Sequence, residues 1–590
     1  MTIWCRTFQH WRQDRLAPDR FLSAIIPRMS QASQVLHLEQ PLSIDEAIEE
    51  LPVQTAAPPA RKSASLAKSA VIVSLAFVLS RILGLAREVI LARQFGTGPE
   101  MDAYVSAFKI PDLLFLVVMA GAFGAAFIPV FGEFLEKDDQ FRAWRLASSV
   151  LTWAGVGVLV LSGLCFVLAR PLMFIVAPGF DQQTEDLAVN LMRILLLSPV
   201  FLGLGIAAKG ILEAHNQFTL PALAPLVYNM AIIIGALFFV PEYGIYAVGW
   251  AVIIGALGHF LVQVPGLIAA GMRFRPTLDR HVDGLGEVAR LLGPRVVGLA
   301  VFQINFIAVT AFASTTGPEN VSAINYAWQL LMLPHGVLAL SISTVVFPTL
   351  AAMYSRGEND RFRHTLDRTM RPLLFLSIPA SVGLFMLRKP IVQVIFQSGN
   401  FDESSTKLVI APLACFAIGL VGYALTEILT RVFYATRDTV TPVITGVLTV
   451  VLNLLLCALF MESLGYTGLA LALSVTTGAE AIILLLFLRD RIGHVVDASF
   501  GPWLLKVLAA SGGMFVLLYF TVPWLEDALD GGGPPIAAFA LFLYAMGVYM
   551  FAFITFAWLL RIPELQQVVN KFAARMPYRV RAVLDRLGIT

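Results

Sequence analysis

The sequence predicts an all-α polytopic membrane protein with about fourteen transmembrane helices, arranged as two pseudo-symmetric six-helix lobes followed by two C-terminal helices. Three observations support this fold class. The 590 residues are 57% hydrophobic and only 14% charged, whereas a soluble domain is roughly 25% charged. Long apolar runs recur along the chain, and the sequence of one half resembles that of the other.

The apolar runs are long enough to form helices that cross a hydrocarbon core of ~30 Å. Fourteen spans are predicted, at residues 67–92, 103–131, 147–168, 187–212, 221–240, 245–271, 294–314, 324–352, 372–387, 407–433, 441–461, 466–488, 503–523 and 536–560.

The charges of the connections predict which side of the membrane each one faces, because cytoplasmic connections are richer in Lys and Arg than exported ones. With the N-terminus inside, the predicted cytoplasmic connections hold nineteen basic residues, Lys209 among them. The exported connections hold five, which are Arg93, Arg170, Arg388, Lys389 and Lys407. We therefore expect both termini to face the cytoplasm.

An internal repeat becomes visible when the chain is compared with itself at an offset of 221 residues. This offset aligns Asp181 with Asp402 and Gly244 with Gly465, together with several neighbouring positions. Each copy would hold six spans, so both copies would insert the same way round, as two lobes related by an axis along the membrane normal.

The predicted domains follow from the spans and the repeat. They are a cytoplasmic N-terminal extension with a composition typical of disorder (1–65), an N-lobe of spans one to six (66–271), an amphipathic surface linker helix (272–292), a C-lobe of spans seven to twelve (293–490), two accessory spans (491–560) and a basic cytoplasmic tail (561–590).

Two arginines, Arg81 and Arg87, lie inside the first apolar run. A guanidinium at bilayer depth costs about 2.5 to 3.5 kcal/mol on insertion scales, so it needs a polar cavity, a partner or a ligand. At helical spacing both arginines lie on roughly the same side as Gly84, and a guanidinium can bind phosphate through two parallel hydrogen bonds. The alternative is structural: Arg87 pairs with Glu88 or Asp102, or one arginine reaches the membrane surface.

The second span adds Asp102, Lys109, Pro111 and Asp112, followed by a run of small residues at 120–126. Small residues allow close helix contact or leave space for a cavity, and a proline favours a kink. Asp102 and Lys109 are therefore candidate cavity residues. A salt bridge between Lys109 and Asp112 at the membrane surface is the alternative.

The second lobe contains few polar residues at membrane depth. Gln329 is a further candidate for binding substrate, and Gln303, Asn305 and Asn453 are candidates for the polar lining of the C-lobe. The alternative is that these amides form hydrogen bonds between helices. Glu427 and Arg431, four residues apart, are predicted to pair with each other.

No enzyme or cofactor motif is present. The chain contains no P-loop, HExxH or GxSxG sequence and no histidine–carboxylate cluster with metal spacing. We therefore predict a transporter with no catalytic residues, no metal site, no cofactor and no nucleic-acid partner. Uphill transport would then be coupled to the membrane potential or to a cation.

Several motifs together resemble a known family. The run Ser80-Arg81-Ile82-Leu83-Gly84-Leu85-Ala86-Arg87-Glu88, with Asp102-Ala103-Tyr104, Gly121-Ala122-Phe123 and Pro334-His335-Gly336-Val337, is similar to MurJ (MviN)-type lipid II flippases of the MOP exporter superfamily. The resemblance covers about residues 66–560. It implies fourteen spans in two lobes around a cationic cavity, in the bacterial inner membrane.

The resemblance also implies a function. Family members carry a polyprenyl-pyrophosphate-linked peptidoglycan precursor from the inner to the outer leaflet, so cell-wall synthesis proteins are expected partners. Arg81, Arg87 and Asp102 occupy positions that the family uses for function. The chain departs from the family pattern at residues that are charged in other members, namely Phe115, Ala120, Gln329 and Val309.

These departures leave other functions open. The protein could flip another polyprenyl-linked oligosaccharide, or it could be a transport-inactive scaffold for cell-envelope synthesis. A drug or cation antiporter of the same superfamily would require a cavity lined by carboxylates, and few acidic residues are predicted at that depth.

Overall fold

The computed structural model of the protein describes residues 60–567 except 117–126, 494, 496 and 531–534. Residues 1–59 of the predicted extension (1–65), the small-residue run at 120–126 and most of the basic tail therefore lie outside the described residues. The contacts divide the chain into two units, Met1–Lys68 and Ser69–Thr590. Of the first unit only the helical residues 60–68 are described.

Within the described residues all regular elements are helices. The first lobe contains α1 Ala60–Phe95, α2 Pro99–Ala107, α3 Lys109–Leu114, α4 Ile128–Glu136, α5 Gln140–Val167, α6 Ala169–Val176, α7 Gln182–Leu195, α8 Ser198–Ala214, α9 Thr219–Phe238, α10 Val240–Tyr243, α11 Ile245–Leu261 and α12 Val264–Ala269. The second contains α13 Leu285–Thr315, α14 Asn320–His335, a π-helix Gly336–Leu340, α15 Ser341–Ser355, α16 Asn359–Met386, α17 Arg388–Phe396, α18 Glu403–Ala435, α19 Val440–Leu464 and α20 Tyr466–Ile492. The C-terminal helices are α21 Phe500–Asp530 and α22 Pro535–Leu559.

The prediction of an all-α polytopic membrane protein is confirmed. In the described residues, eleven helical segments are long and apolar enough to cross a membrane, and each coincides with a predicted span. The described parts of the other three predicted spans are also helical. The first carries Arg81, Arg87 and Glu88, the second is interrupted after α2, and the apolar part of the seventh is the short segment Ala300–Thr315.

The internal repeat is present in three dimensions. Four pairs of helices, α2 with α14, α7 with α18, α9 with α19, and α11 with α20, begin 221 residues apart. Gly244 and Gly465 occupy equivalent turns with φ of +56° and +59°, a conformation that glycine adopts without steric cost. The two lobes are therefore two copies of one helical plan.

The lobes are joined where α1 ends and α14 begins. Ser322 Oγ donates to the carbonyl oxygen of Thr97 over 2.7 Å, and the backbone amide of Asn400 donates to the carbonyl oxygen of Arg93 over 2.9 Å. Gly96 is required here because a Cβ at this position would lie 2.4 Å from the carbonyl oxygen of Asn400. We call this set of contacts the junction.

The connection between the lobes differs from the prediction. Residues 272–284 form no helix, so the predicted surface linker helix is wrong over that range. The backbone amides of Arg275 and Thr277 donate instead to the hydroxyls of Ser148 and Thr152 on α5. These hydrogen bonds give the backbone amides of the non-helical segment their acceptors. The charged residues of the segment alone had indicated a helix.

The two C-terminal helices lie against the C-lobe through α16 and α17. At one end Lys389 pairs with Glu526 at 3.4 Å. At the other end Arg371 donates to Ser499 Oγ over 2.9 Å and stacks on the ring of Trp503. These helices therefore extend the C-lobe and leave the repeat intact.

Candidate functional site

A cavity of about 600 Å³ lies between the lobes. Most of its wall comes from α1, α8 and α9 of the N-lobe, and the C-lobe contributes part of α14. The lining residues are Val73, Phe77, Ser80, Arg81, Gly84, Leu85, Arg87, Glu88, Lys209, Glu213, Phe218, Pro221, Ala222, Pro225, Tyr228, Asn229, Gln329, Met332 and Leu333. Three basic side chains face two acidic ones, so the cavity is cationic.

Helix α1 supplies the two predicted arginines. A Cβ added to Gly84 would meet no atom within 4 Å, so this glycine faces the cavity and does not contact a neighbouring helix. Residues three and four apart lie on one helical face, which explains why Arg81, Gly84 and Glu88 all line the same space.

Arg87 is held in place by two partners. Its Nε donates to Glu88 Oε1 over 3.2 Å, and its Nη1 donates to Asn229 Oδ1 over 3.2 Å. The Asn229 amide nitrogen is itself held by the carbonyl of Pro225 at 3.1 Å. The arginine side chain remains 23% exposed and Glu88 is 9% exposed. The structural alternative considered for Arg87, pairing with Glu88, is therefore present, and Arg87 also lines the cavity.

Arg81 has no acidic partner among the described side chains. Its guanidinium carbon lies 5.3 Å from the centre of the Phe77 ring, a cation–π contact that leaves the edges of the guanidinium free to donate. Arg81 is exposed to the cavity. It is therefore a cation able to bind an anion without first releasing a carboxylate.

Lys209 and Glu213 on α8 line the cavity as well. Sequence reasoning placed Lys209 in a cytoplasmic connection and assigned it no role at the site. The sequence does contain an indication of this position, because Lys209 and Glu213 are four residues apart inside an otherwise apolar helix. The C-lobe contributes only neutral residues, among them the predicted Gln329.

Asp102 does not line the cavity, which corrects its expected position. Its carboxylate is 1% exposed and accepts the backbone amides of Glu319, at 2.8 Å, and Ser322, at 2.7 Å. It therefore caps the first turn of α14 from across the junction, where unpaired backbone amides need acceptors.

Lys109 is likewise absent from the cavity wall, and its ammonium lies 6.0 Å from the centre of the Phe306 ring on α13. Asn453 is fully buried and donates to Asn305 Oδ1 over 2.8 Å. Gln303 is also buried. Lys109 was predicted to line the cavity, and the three amides were candidates for the polar lining of the C-lobe. None of the four lines this cavity. The hydrogen bond between Asn305 and Asn453 joins two helices, which is the alternative considered for these amides.

Glu427 and Arg431 pair at 2.9 Å, as predicted. Ser343 donates to Glu427 Oε1 over 3.4 Å, and Arg431 donates to Thr344 Oγ1 over 2.9 Å. This polar cluster belongs to the C-lobe and is not part of the cavity wall. Within the described residues no three His, Cys, Asp or Glu side chains are grouped closely enough to hold a metal ion.

A second cavity, of about 630 Å³, lies between α16, α18, α20 and α21. Its wall is apolar apart from Arg489. A single charge among aliphatic and aromatic side chains provides few donors for an anion, so the cationic cavity between the lobes is the better candidate site.

Comparison with known proteins decides the family. Residues 91–529 match the family described as "Lipid II flippase MurJ". The chain belongs to the lipid II flippase MurJ family. It is 35% identical over 425 residues to the lipid II flippase MurJ of Burkholderia cenocepacia, an alignment that covers 70% of this chain and 82% of the relative.

Two solved structures have the same fold. One is a lipid II flippase MurJ in an inward closed conformation, with a TM-score of 0.70, 27% identity, and coverage of 82% of this chain and 99% of the other. The other is an inward-facing MATE multidrug resistance transporter of the MOP superfamily, with a TM-score of 0.61, 18% identity and coverage of 72% and 98%. The second likeness concerns the fold alone. Membership of the MurJ family makes this protein a transporter and a multi-pass protein of the bacterial inner membrane.

Proposed function

We propose that this protein moves lipid II, the polyprenyl-pyrophosphate-linked peptidoglycan precursor, from the inner to the outer leaflet by alternating access. The observation that carries the proposal is the exposed Arg81 in a cationic cavity between two lobes. A diphosphate is a suitable ligand for this cavity because its oxygens match the planar donors of a guanidinium.

The two arginines of the N-lobe have different roles in binding the headgroup. Arg81 binds a phosphate oxygen directly. Arg87, held by Glu88 and Asn229, presents its remaining donors in a fixed orientation, which lowers the ordering cost of binding. The polyprenyl chain stays in the apolar phase while the headgroup occupies the cavity.

Alternating access requires the lobes to separate at one end and close at the other. The junction, with Thr97, Ser322 and Asp102, holds one end together. The loop charges support an orientation with this end outside and the cavity mouth, near Lys209 and Phe218, towards the cytoplasm. Both termini then face the cytoplasm. Release outside would require the junction contacts to break.

Transport would be coupled to the membrane potential or to a cation, because the chain contains no nucleotide-binding motif. Cell-wall synthesis proteins that use the precursor outside the cell are the proposed protein partners.

The test is leaflet-resolved movement of lipid II in vesicles that contain the purified protein, with and without an imposed membrane potential. The double variant Arg81→Ala/Arg87→Ala should abolish flipping while the protein remains in the membrane. The matched control is Arg356→Ala/Arg361→Ala, which removes two exposed charges outside the cavity wall and should flip lipid II normally. Wild-type transport by the cavity variant would refute the proposed role of the two arginines.

A second cargo remains compatible with the same cavity, since the diphosphate is common to other polyprenyl-linked oligosaccharides. A parallel assay with an undecaprenyl-pyrophosphate-linked glycan that lacks the peptide separates the two. Faster movement of that lipid than of lipid II would favour the second cargo. Absence of movement of either lipid by the wild-type protein would favour the scaffold function.

A further inference from the structure

Lys209 and Glu213 form the ion pair that sequence reasoning overlooked. On α8 the neighbours Ala207, Ala208 and Gly210 are buried, whereas the Lys209 side chain is 52% exposed and lines the cavity. The helix therefore directs one basic side chain into the cavity and buries the adjacent residues.

The pair is loose compared with similar pairs in the same protein. Lys209 Nζ lies 3.8 Å from Glu213 Oε1, whereas two other i,i+4 pairs, Glu133–Lys137 and Glu403–Lys407, close to 2.6 and 2.7 Å. The order of the two residues along the helix also distinguishes the loose pair from the close pairs. Glutamate precedes lysine in the two close pairs and follows it in the loose one, and glutamate N-terminal to lysine is the more favourable order.

The remaining cations of the cavity differ in availability. Arg87 is bound by both Glu88 and Asn229, and Arg81 has no acidic partner in the described part of the chain. Lys209 is intermediate in availability, because the carboxylate of Glu213 lies beyond hydrogen-bonding distance of its ammonium. Arg81 and Lys209 are therefore the two cations that a diphosphate can reach most readily.

We propose that Lys209 is a further anion-binding residue of the cavity, beside Arg81 and Arg87, and that it exchanges Glu213 for a phosphate oxygen of the ligand. This inference rests on the proposed function, because it assigns the diphosphate of the lipid-linked precursor as the ligand. Arg81 supplies a planar fork, and Lys209 supplies a mobile point charge on a flexible stem.

The exchange gives Glu213 a defined role. When the cavity is empty, the carboxylate partly offsets the lysine charge. When the diphosphate enters, Lys209 turns towards it and Glu213 faces the water-filled mouth. Glu213 therefore competes with the ligand, and its removal should strengthen binding. If Lys209 had a purely structural role, loss of Glu213 would not strengthen ligand binding while loss of Lys209 weakened it.

The experiment measures equilibrium binding of two probes, lipid II and inorganic pyrophosphate, to the full-length protein in detergent micelles. Lys209→Gln should weaken binding of both probes about tenfold, the effect of losing one charge-assisted hydrogen bond. Glu213→Gln should strengthen binding roughly threefold, because the competing carboxylate is removed. The controls Lys137→Gln and Glu133→Gln change the same charges in a pair outside the cavity wall and should leave both affinities unchanged.

Three outcomes would contradict the assignment or its basis. Binding of both probes by Lys209→Gln within twofold of wild type overturns the role of Lys209. Weaker binding by Glu213→Gln overturns the exchange, and this variant decides the matter if Lys209→Gln fails to fold. If the wild-type protein binds pyrophosphate through Lys209 but neither binds nor moves lipid II, the proposed function fails while the anion site stands.

Discussion

The two lobes follow one helical plan but use their polar residues differently. The N-lobe directs Arg81, Arg87 and Lys209 into the cavity. The C-lobe uses its own polar residues internally, as in the hydrogen bond between Asn305 and Asn453, and offers the cavity only neutral side chains. The two copies therefore share one scaffold, while the N-lobe copy alone supplies the charged residues of the cavity wall.

The copies remain alike at the ends of their helices. Asp181 caps α7 by accepting the amides of Gln183 and Thr184, and Asp402, 221 residues later, caps α18 by accepting the amide of Ser405. Each cap accepts hydrogen bonds from the unpaired backbone amides at the start of its own helix, so it is needed in either lobe.

The comparison is tested most strongly by one arginine from each lobe. Arg81→Gln should slow lipid II flipping roughly a hundredfold, because a charge-assisted contact to the ligand is lost. Arg431→Gln, in the C-lobe cluster with Glu427, should change it less than threefold. Initial flipping rates in vesicles measure both. Equal losses would mean that the lobes share the binding of the anion.

The junction is the next test, since both lobes depend on it. Asp102→Ala removes the acceptor for the amides of Glu319 and Ser322 and should lower the free energy of unfolding by about 2 kcal/mol, because two buried donors lose their partner. Thermal unfolding in detergent provides the measurement. An unchanged melting temperature, with transport lost, would instead assign Asp102 a direct role in binding.

Two asparagines separate stability from binding. Asn453→Ala breaks the buried bond to Asn305 and should lower stability by about 1 kcal/mol, with flipping per folded molecule unchanged. Asn229→Ala, beside Arg87 in the cavity, should slow flipping a few-fold with little change in stability. The reverse pattern would place the binding surface in the C-lobe.

The smallest expected effect concerns the shared caps. Asp181→Ala and Asp402→Ala should each lower stability by roughly 0.5 to 1 kcal/mol, and by similar amounts. Hydrogen bonds from Thr184 and backbone amides lower the pKa of Asp181, and those from Ser405 and Ser404 lower the pKa of Asp402. A lowered pKa contributes stability above the ordinary pKa near 4 and loses it as the pH falls through the folded value. Unfolding curves measured from pH 7 downwards should therefore show the variants converging with wild type once the pH falls through the folded-state pKa of each carboxyl. A difference that did not shrink as the carboxylates became protonated would contradict their role.

Part of the site was predictable from local pattern. Arg81 and Arg87 stood out because guanidinium groups are costly at membrane depth, and Gln329 because it interrupts an apolar run. Asp102 was equally conspicuous, but its partners Glu319 and Ser322 lie more than two hundred residues away, and local spacing cannot reveal such a contact. Lys209 was missed because a basic residue near the end of an apolar run was counted as a loop charge.

The sequence by itself determined the membrane environment, the helical spans and the twofold repeat, because hydrophobicity and periodicity are local properties that each segment carries wherever it folds. Only the tertiary structure decided which polar side chains share a cavity and which are enclosed. Burial and pairing depend on the helices that lie opposite, and those helices come from distant parts of the chain. Arg81 and Asp102 show this difference, since both are charged residues near the start of the N-lobe, yet one faces the cavity and the other caps a helix of the second lobe.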